Sequence, residues 1–129
     1  MTKFNNAIIG YNDHLINHLN ESFLGATHIR FIVSFLLESG AKLISRQLQQ
    51  AANRGVSIRI LTGRYLSITE PSAIYHLFNT LGRDLEIRFF ANNVRSFHPK
   101  AYLFDHAGDS EIYIGSSNIS HSALTSGVE

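Results

Sequence analysis

The sequence predicts a single α/β domain built on a mixed β-sheet flanked by helices, and three observations lead there. A β-branched run at residues 29–34, an amphipathic stretch and an alternating run at residues 56–60 follow one another as strand, helix, strand. Three further strand-like segments, residues 85–90, 98–104 and 111–114, come with no helix between them, so the later part of the sheet is expected to be antiparallel. The chain has 129 residues, 44% of them hydrophobic, which is the size of one core. Such a core forms without disulfide or metal staples.

Each element has its own local reason. Tyr11, Leu15, Leu19 and Phe23 recur every four positions and line one face of a first helix, with Gly25 placed to end it. The strand at residues 29–34 is followed by Ser39 as a helix N-cap. The second helix carries the stripe Ala41, Ile44, Leu48, Ala51 and Ala52, and Gly55 sits where a left-handed cap closes it. Val56, Ile58 and Ile60 alternate with Ser57 and Arg59 in a strand that runs into Thr62-Gly63. Pro71 suits the first position of a third helix that carries Ile74, Leu77, Phe78 and Leu81 before Gly82. After the last strand, residues 120–124 form a short helical turn, and no closing element follows. The chain therefore reads as a fragment of a longer protein.

Composition removes whole classes of chemistry. The absence of cysteine excludes thiolate nucleophiles, iron–sulfur clusters and cysteine-containing zinc sites, and it favours a reducing compartment. A net charge of +1 is too balanced to act as an electrostatic footprint, so any nucleic-acid contact must come from local placement. No apolar run approaches the ~20 residues of a membrane span, and the start lacks a signal-peptide pattern. A soluble, cytoplasmic protein is expected.

The segment His98-Pro99-Lys100-Ala101-Tyr102-Leu103-Phe104-Asp105, followed by Gly115-Ser116-Ser117-Asn118, carries the chemistry. On a strand His98 and Lys100 share a face and Asp105 does not, because side chains repeat every two residues. A neutral imidazole can attack phosphorus while a nearby ammonium holds the phosphoryl oxygens. Asn118 adds a neutral donor. Glu129 is a candidate to accept a hydrogen bond from the other ring nitrogen of His98 and so fix its tautomer.

H-x-K-x4-D followed by G-S-x-N resembles the signature of the phospholipase D superfamily, and the order of elements from Thr27 to Glu129 resembles that family's half-domain. Leu61-Thr62-Gly63 and Ser122-Ala123-Leu124-Thr125 extend the likeness toward single-motif nucleases and the nuclease-like N-terminal domains of certain helicase and restriction proteins. The resemblance implies a phospholipase D-like fold with His98 as nucleophile, Lys100 and Asn118 as phosphate ligands, and Glu129 as the group that orients the histidine. It further implies no cofactor and no metal, a DNA substrate, a homodimer that pairs His98 across a two-fold axis, and a fused helicase domain in the full-length protein. Asp105 and Ser116 are expected to be structural supports, Asp105 at the hairpin. Arg64 and Arg95, in loops near strand ends, are candidates for contact with a DNA backbone.

Other polar residues receive plainer readings. His14 and His18 have metal-ligand spacing but no third ligand. His28, His76, His106 and His121 are read as surface or boundary residues, and Arg30, Arg59 and Arg88 as solvated charges. The first functional reading is a metal-independent phosphodiesterase, a DNA nuclease domain working through phosphohistidine. The alternatives are a non-catalytic DNA-binding or dimerisation module and a phospholipid-directed hydrolase or transferase. The last is disfavoured by the single motif copy and by the lack of an amphipathic membrane face.

Overall fold

A computed structural model of the chain describes residues 7–8, 13–63, 68–90 and 97–126. Its elements are α1 (Leu15–Gly25), β1 (His28–Val33), α2 (Glu38–Asn53), β2 (Ser57–Gly63), α3 (Pro71–Leu81), β3 (Leu85–Phe90), β4 (Lys100–His106), β5 (Asp109–Ile114) and α4 (His121–Thr125). The five strands form one mixed sheet in the order β3-β2-β1-β4-β5, as the α/β expectation requires. β3 runs parallel to β2, which runs parallel to β1, while β4 pairs antiparallel with both β1 and β5. The antiparallel part thus begins at β4. β3 belongs to the parallel half because α3 supplies the crossover that a parallel pair needs.

Both crossovers step in the same direction, from β1 to β2 and from β2 to β3. Right-handed connections then put α2 and α3 on one face of the sheet, where they pack on each other. Register shows which face that is. Ile29, Phe31 and Val33 lie level with Ile58, Ile60 and Thr62 on one side and with Phe104, Tyr102 and Lys100 on the other. All of these except Lys100 are buried. With Leu19 and Phe23 of α1, Ile44 and Leu48 of α2 and Leu77 of α3 they form a single core. Its aromatic centre meets edge to face, Phe31 with Tyr102 at 5.0 Å and Phe23 with Phe104 at 5.2 Å between ring centres. The opposite face carries Arg30, Arg59 and Arg88, whose partners are the carboxylates of Asp105 and Glu86.

Element ends partly follow the local signals. Gly55 (φ +84°) closes α2 in a Schellman motif, with the Val56 amide donating to Ala51 O at 3.1 Å and the Gly55 amide to Ala52 O at 2.9 Å. Pro71 opens α3 as expected. Ser39, expected to cap α2, lies inside its first turn, since the helix begins at Glu38. The Glu38 amide is instead satisfied at 2.9 Å by the carboxylate of Glu70, just before α3, and the Ser39 hydroxyl accepts from the His121 amide at 3.1 Å. Gly25 is the last residue of α1 rather than its stop, and Tyr11 lies outside the described residues.

Candidate active site

The carboxyl ends of β1 and β2 meet the start of β4 and the segment after β5, the place where open α/β sheets offer a crevice. β4 begins at Lys100, not at His98. Pro99 has no amide hydrogen to give to a ladder, and β4 is a central strand, so pairing starts after it. His98 therefore stands just ahead of the strand, exposed, and shared strand periodicity does not fix its direction relative to Lys100. The segment before β4 is held from another side: Phe97 stacks on Phe90 with ring centres 4.8 Å apart. Gly63 makes room for it, because a Cβ there would lie 3.1 Å from the Phe97 ring and 3.2 Å from Ser34 O.

Lys100 is half-buried in the row of Val33 and Thr62, on the helix-covered face. Its ammonium donates to His98 O at 2.8 Å and to the Ser34 hydroxyl at 3.4 Å. No ion pair between described residues includes it. Asn118 is oriented by main chain. Its side-chain oxygen accepts the Phe35 amide at 3.0 Å, so its NH2 group points the other way as a donor.

The loop that carries Asn118 is sewn to the start of α2. The Leu37 amide donates to Ile119 O at 2.9 Å, Leu36 bridges Ile119, and the Tyr102 hydroxyl donates to Ser117 O at 2.7 Å. Gly40 permits the contact, since a Cβ at that position would fall 2.3 Å from the Ile119 carbonyl carbon. Ser120 then caps α4 by accepting from the Ala123 amide at 3.2 Å, and Leu124 anchors that short helix in the core. Ser116 lies exposed in the bend after β5.

The remaining expected residues divide. Asp105 faces the other side of the sheet, where it pairs with Arg30 and accepts from the Ser110 hydroxyl at 2.9 Å. Arg64, Arg95 and Glu129 lie outside the described residues. His18 meets Asp13, and among the described residues no group of three or more His, Asp or Glu side chains is placed to hold a metal ion. His106, read as a surface or boundary residue, contacts the Glu111 carboxylate at 2.6 Å.

The motif pointed to His98, Lys100 and Asn118. Ser34, Phe35 and Gly40 lie outside it, and Gly63 belongs only to the Leu61-Thr62-Gly63 likeness. A local signal for Ser34 and Gly63 is their position at the ends of parallel strands.

Chemically, the end of β1 gathers an ammonium that meets no carboxylate among the described residues, held on Ser34 and the His98 carbonyl, and an amide donor held on Phe35, with the His98 side chain exposed nearby in the chain; ammonium and amide suit an anionic phosphoryl group. The family described as "Cardiolipin synthase, PLD-like domain" matches residues 5–129. No curated protein matches the chain. Among the described residues, no helix is long and apolar enough to cross a membrane.

Proposed function

Because the chain belongs to the PLD-like domain family, which carries phosphodiester hydrolase or transferase chemistry, we propose that it is a metal-independent phosphodiesterase acting on DNA through a phosphohistidine at His98. The observation that carries the reading is the setting of Lys100: among the described residues its half-buried ammonium is held by neutral oxygens and meets no carboxylate, an arrangement suited to an anion. Asn118 adds a donor whose direction the Phe35 amide fixes.

In the proposed reaction a ring nitrogen of neutral His98 attacks phosphorus, an N–P bond forms and the P–O bond to the leaving group breaks. The leaving oxygen takes a proton from a second group. A single motif copy supplies one imidazole, so that acid is assigned to His98 of a second copy in a homodimer, an isologous contact. Water then attacks phosphorus, the N–P bond breaks, and the water's proton passes to the group that gave one up. The net change is hydrolysis of one phosphodiester bond. Lys100 and Asn118 hold the phosphoryl oxygens through both steps, a task metal ions perform elsewhere.

DNA as the substrate rests on the likeness of the motif to single-motif nucleases. The family description favours a second substrate, a phosphatidyl group. The two separate in one assay, single-stranded and duplex DNA against anionic phospholipid vesicles, each with excess EDTA. Cleavage of DNA that survives the chelator supports the reading. Loss of activity restored by magnesium overturns the metal-independent mechanism, and turnover of lipid alone replaces DNA as substrate.

A further inference from the structure

We infer that Ser34 is a positioning residue that aims the Lys100 ammonium, an inference that rests on the proposed phosphodiesterase reading. Ser34 follows β1 and is fully buried, yet its side chain is polar. Its hydroxyl donates to Pro99 O at 3.2 Å, which turns a lone pair toward Lys100 Nζ at 3.4 Å. Lys100 has three N–H donors. Ser34 and the His98 carbonyl hold two of them, so the third is directed rather than left to rotate.

A neutral acceptor suits this task better than an acid. An Asp at the same place would hold the ammonium more strongly but would cancel the charge that a phosphate needs. A serine fixes direction and leaves charge. The flexible four-carbon stem of a lysine otherwise samples many rotamers, and placement errors of about 1 Å cost on the order of 100-fold in rate.

Ser34 is itself well held. Its carbonyl accepts the Gly63 amide at 3.3 Å, which ties it to β2, and the next residue, Phe35, gives its amide to Asn118 at 3.0 Å. One dipeptide at the end of the central strand thus orients both phosphate donors, Lys100 through a side chain and Asn118 through the backbone.

The test uses the full chain with the phosphodiester bis(p-nitrophenyl) phosphate and compares Ser34→Ala, Ser34→Thr, Lys100→Ala and the Ser34→Ala/Lys100→Ala pair. Ser34→Ala should lower kcat/KM by about 10- to 100-fold. Ser34→Thr should recover most of it, and Ser34→Ala should add nothing once Lys100 is gone. An equal loss in the Lys100→Ala background, or unchanged turnover in Ser34→Ala, overturns the inference.

A second readout is independent of turnover. The sequence contains Lys3, Lys42 and Lys100 as its lysines, so the 13Cε signal of Lys100 is assignable in lysine-labelled protein. Ser34→Ala should move that signal and leave the signal of Lys42, which pairs with Glu38, in place. A Lys100 signal that stays put overturns the inference. A parent protein without turnover overturns the phosphodiesterase reading instead, and the lysine signal then decides the role of Ser34 alone. Should Ser34→Ala fail to fold, Ser34→Cys takes its place, keeping the size while weakening the acceptor.

Discussion

β4 has polar groups at each end, about 20 Å apart over its seven residues, on both faces at the far end, and the two ends differ in what they do with charge. At the far end the groups close on one another. His106 meets Glu111 at 2.6 Å, Asp105 meets Arg30, and the Tyr113 hydroxyl lies 2.8 Å from Ser22 and 3.1 Å from Glu111. At the near end the described residues give Lys100 a carbonyl and a hydroxyl but no carboxylate, and Asn118 turns its donor away from its anchor. Residue types alone do not distinguish a structural cluster from a reactive one, since each end has a histidine beside a charged neighbour. What distinguishes them is whether, among the described residues, the charges already meet an opposite charge.

The largest expected effect sits at the near end. His98→Ala should abolish phosphodiester turnover while leaving the melting temperature almost unchanged, because an exposed side chain contributes little packing. A variant that turns over like the parent would erase the contrast and favour the binding-module reading. Lys100→Ala should follow with a loss of about 10²–10³-fold in kcat, the range for a removed oxyanion donor. The matching change at the far end, Glu111→Gln, should leave kcat as it was, and a comparable loss there would show that the clusters communicate.

Gly40→Ala tests whether the near end depends on close backbone approach. A Cβ placed 2.3 Å from the Ile119 backbone forces α2 and the Asn118 loop apart, which should cost about 1–3 kcal/mol in a denaturant titration and lower kcat through Asn118. A neutral result would mean that the loop has room to move. His106→Ala should cost less, about 0–1 kcal/mol, as the loss of a partly exposed polar pair generally does.

The smallest effect is a titration at the far end. Burial raises the Tyr113 phenol above its ordinary value of 10.0, against the lowering by its bond to Ser22 and with the nearby Glu111 charge adding to the rise. A phenol that holds its proton more tightly in the folded state stabilises the fold fully below the unfolded value. That contribution is lost as pH rises through the folded one. In a spectrophotometric titration of the five tyrosines, Tyr113 should ionise late, and Ser22→Ala should delay it further. Ionisation of Tyr113 at the ordinary value would mean that the far cluster is open to water.

Local chemistry by itself determined a good deal. The strand–helix–strand order, the glycine cap at Gly55 and the proline start at Pro71 were legible because periodicity, φ preference and a missing amide hydrogen act within a few residues. The motif residues His98, Lys100 and Asn118 stood out through their resemblance to the phospholipase D signature. Tertiary structure decided the rest. Ser34 meets Lys100 across 66 positions, the Phe35 amide meets Asn118 across 83, and Ser39 serves His121 across 82 instead of capping its own helix. Such pairs depend on strand register and on how closely α2 approaches the loop after β5. Both are set by burying a whole sheet face at once, a collective quantity that no short stretch of sequence encodes.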